Sequence, residues 1–152
     1  MQMNNAFTRT ATFEVNFSKP EIFPLLCPKL EEKWIPGWKC EVLHSRSGFN
    51  EPGAVFKTAL PFGTELTWYT NVYDMDKGHV EFTLFSPDKI VFNFQIQVQP
   101  TQNNTCSLTF THRFLPIGPA GNDLIETYKK EDFPARLHDL GRLMNIYLKR
   151  RI

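Results

Sequence analysis

The stretch KIVFNFQIQVQPTQNNTCSLTFTHRFL, residues 89–115, decides the fold of this 152-residue chain. Apolar and polar residues alternate on both sides of its polar centre, Gln102-Asn103-Asn104, which is the period of strands that bury only one face. A short polar break between two such segments is typical of a turn. The stretch therefore predicts two antiparallel strands, residues 89–99 and 106–115, whose inward faces include Phe92, Phe94, Phe110 and His112.

Five further segments of strand length precede this hairpin, namely residues 7–17, 38–45, 54–60, 64–73 and 80–85. Short breaks such as Pro61-Phe62-Gly63 separate the later strands and favour an antiparallel meander. Alternation also places Phe82 inward. In residues 64–73 we expect the inward set Leu66, Trp68, Thr70 and Val72, with the opposite register, which turns Tyr69 and Tyr73 inward, as the alternative.

Two short helices are predicted between the first and second strands. Ser18 and Glu21 have the spacing of a capping box, with Pro20 in the first turn. Pro28 begins a second helical segment, and Pro36-Gly37 ends it.

One longer helix is predicted at the C-terminus, with Asn122 or Asp123 as its N-cap. Its apolar positions, which include Tyr128, Phe133 and Leu137, form a stripe that faces the sheet. Pro134 has to interrupt or kink this helix near residues 131–133, because proline removes a backbone hydrogen bond and clashes with the preceding turn.

This order of elements predicts one α+β domain, residues 1–152, in which a curved seven-stranded antiparallel sheet wraps around a long C-terminal helix. Such a sheet leaves an apolar cleft beside the helix. Aromatic residues make up 14% of the chain and can line that cleft. The 17 lysines and arginines nearly cancel the 16 aspartates and glutamates, which argues against nucleic acid as a partner.

The compartment and cofactors are inferred from what the sequence lacks. Cys27, Cys40 and Cys106 have no CxxC spacing and lie among apolar residues, as reduced buried thiols do. No apolar run has the length of a signal peptide, or of a membrane span of roughly 20 residues. We therefore expect a cytoplasmic protein without integral membrane association. The histidines show no metal-ligand spacing, so no metal or other cofactor is predicted.

At Trp34-Ile35-Pro36-Gly37-Trp38 the chain resembles the superfamily that joins START lipid-transfer domains, polyketide cyclases, birch-pollen-type allergens and Hsp90-ATPase activators, often abbreviated SRPBCC, and above all its small bacterial single-domain members. The other residues that carry the resemblance are Ser45, Ser47-Gly48, Gly53, Phe56-Lys57-Thr58 and Tyr73-Asp74. The resemblance implies a helix-grip fold with a deep cavity for lipids, sterols, polyketides or plant hormones. Only some members are enzymes, and those typically carry acids, histidines or arginines in the pocket.

The candidate ligand-binding residues combine inward strand positions, the tryptophan pair and the last helix. They are Trp34, Trp38, Trp68, Thr70, Phe82, Phe92, Phe94, Phe110, His112, Tyr128, Phe133 and Leu137. His112 is the candidate acid or base, and a hydrogen-bonded core histidine is the alternative. The charged clusters Glu31-Glu32-Lys33 and residues 128–132 are interpreted as solvated helix faces.

An almost wholly apolar inward face favours a carrier, which binds or transports a hydrophobic small molecule such as a lipid, a polyketide or an aromatic metabolite. The alternative is a cyclase- or dehydratase-like enzyme that uses His112 as acid or base. A further alternative is a module like the Hsp90 activators, which binds a protein partner through an exposed apolar patch. The sequence leaves monomer and homodimer open.

Overall fold

The computed structural model describes residues 6–59 and 64–151. Its seven strands form one antiparallel sheet in the order β1-β7-β6-β5-β4-β3-β2, which confirms the predicted α+β helix-grip architecture. The strands are β1 (Phe7–Val15), β2 (Cys40–His44), β3 (Val55–Ala59), β4 (Glu65–Asp74), β5 (His79–Ser86), β6 (Ile90–Pro100) and β7 (Cys106–Pro116). Leu60, the predicted end of the third strand, and the predicted turn Pro61-Phe62-Gly63 lie outside the described residues.

Short helices connect β1 to β2, as predicted. They are α1 (Lys19–Ile22), a 3-10 turn (Phe23–Leu25) and α2 (Glu31–Trp34). The Glu21 carboxylate accepts hydrogen bonds from the Ser18 backbone N–H at 3.1 Å and from its hydroxyl at 2.7 Å, so the predicted capping residues do meet.

The C-terminal helical region consists of two helices, α3 (Pro119–Lys129) and α4 (Phe133–Arg150). The predicted N-cap was wrong: Gly118, not Asn122 or Asp123, precedes the first turn, and Pro119 begins it because a missing N–H costs nothing there. The predicted interruption is confirmed. Asp132 caps α4 by accepting a hydrogen bond from the Ala135 N–H at 3.1 Å, and Pro134 fits into the first turn.

The register of β4 was predicted correctly only for its first half. Leu66, Trp68 and Thr70 are buried, but the pairing with β5 shifts by one residue between Thr70 and Val72. Beyond this bulge Val72 lies opposite Glu81, on the outer face, and the prediction that it points inward was wrong. Tyr73 turns inward instead, where its ring lies 4.7 Å from that of Phe23.

The helices approach the sheet most closely at two glycines. A β-carbon on Gly141 of α4 would lie 2.6 Å from the Phe13 ring of β1, and one on Gly121 of α3 would collide with the Lys89 carbonyl oxygen. These contacts hold α4 against the β1 edge and α3 against the beginning of β6. All three cysteines are buried and free, as predicted. Within residues 6–59 and 64–151, no helix has both the length and the apolar character to cross a membrane.

Candidate ligand-binding cavity

A cavity of about 670 Å³ lies between the inner face of the sheet and the helices α2, α3 and α4. Its volume falls within the range of about 300–1,000 Å³ that is usual for small-molecule sites. Ten of the twelve candidate residues line it: Trp34, Trp38, Trp68, Phe82, Phe94, Phe110, His112, Tyr128, Phe133 and Leu137.

Trp68 organises the aromatic part of the cavity wall. Its ring lies nearly perpendicular to those of Phe82, Phe94 and Trp38, at centroid distances of 5.2, 5.8 and 6.2 Å. Its indole N–H donates to the Thr58 hydroxyl at 2.8 Å, which fixes the ring. Edge-to-face pairs of this kind favour one arrangement of rings over others. The wall is therefore a set of fixed aromatic surfaces.

Two candidate residues do not line the cavity. The Thr70 hydroxyl donates to Asn50 Oδ1 at 2.7 Å, and the Asn50 amide donates to the Leu26 carbonyl at 2.9 Å. Thr70 thus helps to hold the loop after the 3-10 turn against β4, and this candidate ligand-binding residue does not line the cavity. Phe92 is fully buried, 4.7 Å from the Phe114 ring and 5.5 Å from that of Tyr128, so it is a core residue instead.

The tryptophan pair at the end of α2 contributes to the wall from the helical side. The Trp38 indole N–H donates to the Pro28 carbonyl at 2.8 Å, which ties the β2 approach to the loop before α2. The Trp34 indole N–H is buried and has no hydrogen-bond partner among the described residues. All three tryptophans of the chain line the cavity, so the tryptophan fluorescence of the protein reports on this site.

The cavity is also lined by charged residues that are not among the twelve candidates. Arg9, Glu31 and Arg136 line it together with His112. The expectation of an almost wholly apolar inward face was therefore wrong. So was the interpretation of Glu31 and Glu131 as parts of solvated helix faces, since Glu31 lines the cavity and Glu131 is 18% exposed.

Sequence signals for these residues do exist. Arg9 stands between Phe7 and Ala11 at an inward position of β1, opposite His112 of β7. Glu31 lies three residues before Trp34, and Arg136 lies three residues after Phe133, so both are on apolar helix faces. A charged residue at an apolar position of a strand or helix is the pattern that would have found all three.

Glu131 bridges two of the arginines. Arg136 Nη1 donates to Glu131 Oε2 at 2.8 Å, and Arg9 Nη2 lies 3.8 Å from Glu131 Oε1. Arg9 Nη1 also donates to the Tyr128 carbonyl at 3.1 Å, and the guanidinium lies over the Phe133 ring at 4.1 Å. We call Arg9, Glu31, His112, Glu131 and Arg136 the polar cluster. The ion-paired side chains of this cluster, Arg9, Glu131 and Arg136, lie between β1 and the junction of α3 and α4.

His112 is stacked on the Phe94 ring, with centroids 3.7 Å apart and an interplanar angle of 11°. Burial, and secondarily the positive charges of Arg9 and Arg136, lower its pKa well below the usual value. The imidazole is therefore neutral at pH 7. Nδ1 is enclosed, and neither ring nitrogen has a hydrogen-bond partner among the described residues. Nε2, which is not enclosed, is the nitrogen that can contact a ligand.

Glu31 contributes the second uncommitted polar group. Burial raises the pKa of its carboxyl group to about 8, against the opposing attraction of Arg136. The side chain is protonated at pH 7 and has no hydrogen-bond partner among the described residues. The cavity thus combines a protonated carboxyl group with a neutral imidazole, a pairing that can donate and accept protons. Among the residues described, no three histidine, cysteine, aspartate or glutamate side chains are grouped to bind a metal ion.

The sequence matches no protein-family model and no curated protein. Solved structures do match. A norcoclaurine synthase mutant from Thalictrum flavum, in complex with a transition-state analogue, superposes with a TM-score of 0.71 at 14% identity, covering 100% of both chains. The ZhuI aromatase/cyclase from Streptomyces sp. R1128 gives 0.74 at 11% identity, covering 97% of both chains. Ara h 8.0201 gives 0.69 at 13% identity, covering 96% of this chain and 99% of the other.

Two of these three names denote enzymes, so the shared fold is compatible with catalysis as well as with binding. At such identities the similarity concerns the fold alone. The seven-stranded curved sheet and the long last helix make up the fold that this chain shares with all three structures. This chain has a helix-grip fold.

Proposed function

We propose that the chain binds one mainly apolar, ring-containing small molecule, such as an aromatic metabolite or a polyketide, in the cavity. The observation that carries this proposal is a cavity of about 670 Å³ that has fixed aromatic side chains in its wall. Burial of apolar surface contributes about 25 cal/mol per Å², offset by the freedom that the ligand loses. The uncommitted groups of Glu31 and His112 orient a polar substituent of the ligand.

A neutral fluorescent probe, 1-aminoanthracene, tests this proposal. Because every tryptophan lines the cavity, energy transfer from tryptophan to the bound probe is expected, with one probe per chain. Leu140→Phe, which adds volume at the cavity wall, is expected to weaken the probe's affinity at least about tenfold, or about 1.4 kcal/mol.

Ile146→Phe is the matched control, because Ile146 lies on the same helix, is 37% exposed and does not line the cavity. This variant is expected to bind the probe as wild-type protein does. Equal affinities of the two variants, or no energy transfer in wild-type protein, would contradict the proposal.

Acid–base catalysis is the second candidate function, and the presence of a protonated Glu31 and a neutral His112 in the lining of one cavity favours it. In a cyclase- or dehydratase-like reaction, a neutral imidazole accepts a proton and a carboxylic acid donates one to a leaving oxygen. Both groups then return to their starting states when the proton is exchanged. The two functions differ in outcome: a carrier releases its ligand unchanged, whereas such an enzyme releases a cyclised or dehydrated product.

A further inference from the structure

The polar cluster carries an excess of positive charge, and this bears on the ligand's chemistry; the inference rests on the proposed function. Arg9 and Arg136 share the single carboxylate of Glu131. The other carboxyl group of the cluster, Glu31, is protonated at pH 7, and His112 is neutral. Two guanidinium groups therefore face one carboxylate, and the cluster has a net charge of one positive unit beside an apolar cavity.

The guanidinium group of Arg9 is already engaged by other groups of the protein. Its side chain is 8% exposed, with Nη1 bonded to the Tyr128 carbonyl, Nη2 directed at Glu131 and Nε enclosed. The rings of Phe114 and Phe133 cover its guanidinium at 5.0 and 4.1 Å. Arg142 also lines the cavity, but its Nε and Nη2 both donate to Asp139 Oδ1, at 2.9 and 2.7 Å. Arg9 therefore has no free edge to offer a ligand, and the charge of Arg142 is already balanced by Asp139.

Arg136 differs from both. Of its donors, Nη1 is bonded to Glu131 Oε2, and within the described part of the chain Nη2 and Nε make no hydrogen bond. The side chain lines the cavity and is 40% exposed, so a ligand can reach it. The bond to Glu131 fixes the guanidinium and leaves its remaining donors available.

We propose that the ligand carries a carboxylate, which Arg136 binds through the edge of its guanidinium that Glu131 leaves free. The planar fork of arginine matches a carboxylate with two parallel hydrogen bonds. A carboxylate also balances the single excess charge of the cluster, whereas a doubly charged phosphate would leave one negative charge uncompensated. The ligand class is accordingly an aromatic or polycyclic carboxylic acid.

Calorimetric titration with two probes of nearly equal shape, 2-naphthoate and 2-naphthamide, tests this inference at neutral pH. Wild-type protein is expected to bind the carboxylate at least about tenfold more tightly than the amide. In Arg136→Gln the ratio is expected to fall to about one, while the affinity for the amide stays the same, which also shows that the cavity is intact. Arg150→Gln, the same substitution at an exposed position of α4 away from the cavity, is expected to keep the wild-type ratio.

Equal affinities for the two probes in wild-type protein would overturn the inference and leave the proposed function standing. A carboxylate preference that survives in Arg136→Gln would overturn it as well. If wild-type protein binds neither probe, the proposed function itself is contradicted, and the inference falls with it.

Discussion

Arg9→Ala is expected to lower the free energy of unfolding by about 3 kcal/mol. The substitution removes an enclosed guanidinium from between Glu131, the Tyr128 carbonyl and the Phe133 ring. Among the residues described, Glu131 then keeps Arg136 as its one ionic partner. Because this pair remains, we expect the loss of unfolding free energy to lie at the low end of the range seen when one partner of a buried ion pair is removed. Urea unfolding followed by circular dichroism measures the change.

Arg113→Ala is the matched control, because Arg113 lies on the same sheet but is exposed on its outer face. We expect its effect to stay within about 0.5 kcal/mol. A double variant, Arg9→Met with Glu131→Leu, is expected to recover most of the stability, because it removes both enclosed charges together. Equal losses for Arg9→Ala and Arg113→Ala would show that the polar cluster does not contribute to the fold.

Glu31→Gln is expected to be more stable than wild-type protein by about 4.5 kcal/mol at about pH 8.5, and to lie within about 1 kcal/mol of it at about pH 5. The pKa of Glu31 is about 8 in the folded protein and near 4.5 in the unfolded chain. Above about pH 4.5 the unfolded chain releases this proton while the folded protein retains it, so stability falls as the pH rises towards 8. Glutamine cannot ionise and avoids that loss.

The comparison between variant and wild type isolates Glu31. His112, whose pKa is lowered, affects stability in the opposite direction below about pH 6.5, but it does so in both proteins and cancels. The pKa of Cys40 is raised to about 12 by burial first and by the charge of Glu31 second, so this thiol stays protonated at pH 8.5 in the folded form of both proteins. Glu126→Gln, at a side chain that is 67% exposed, serves as the control and is expected to show no growing difference with pH. A constant difference between Glu31→Gln and wild type across this range would show that Glu31 ionises freely.

The sequence was sufficient for the architecture because each element has its own local signal. Alternation in residues 89–115 and the capping pair Ser18 and Glu21 depend on neighbours within a few positions. The bulge between Thr70 and Val72 has no such signal, since one extra residue leaves the alternation on either side intact. The commitment of Thr70 to Asn50 likewise depends on a contact between distant residues.

The cavity was predicted less completely than the fold, for a physical reason. Aromatic residues such as Trp68 and Phe94 are placed by the strand period alone, and both line the cavity. The polar cluster draws its residues from five places: β1, β7, α2, the α3–α4 junction and α4. Glu131 pairs with Arg9, which is more than a hundred positions away in the sequence, and with Arg136, which is a near neighbour. Of the residues in this cluster, only Arg9 is indicated as clearly by the strand period, because a charged residue at an inward position of a strand requires a buried partner.

Native mass spectrometry of the protein purified from its own host tests directly whether the cavity holds a small molecule. We expect a stoichiometric adduct on wild-type protein, released on denaturation as a mainly apolar, ring-containing molecule, and absent from Leu140→Phe prepared in the same way. Recovery of that molecule unchanged after incubation with fresh protein supports a carrier, and conversion to a cyclised or dehydrated product supports an enzyme. Wild-type protein that carries no adduct as purified, and acquires none from an extract of its host, would show that the cavity is not a ligand-binding site.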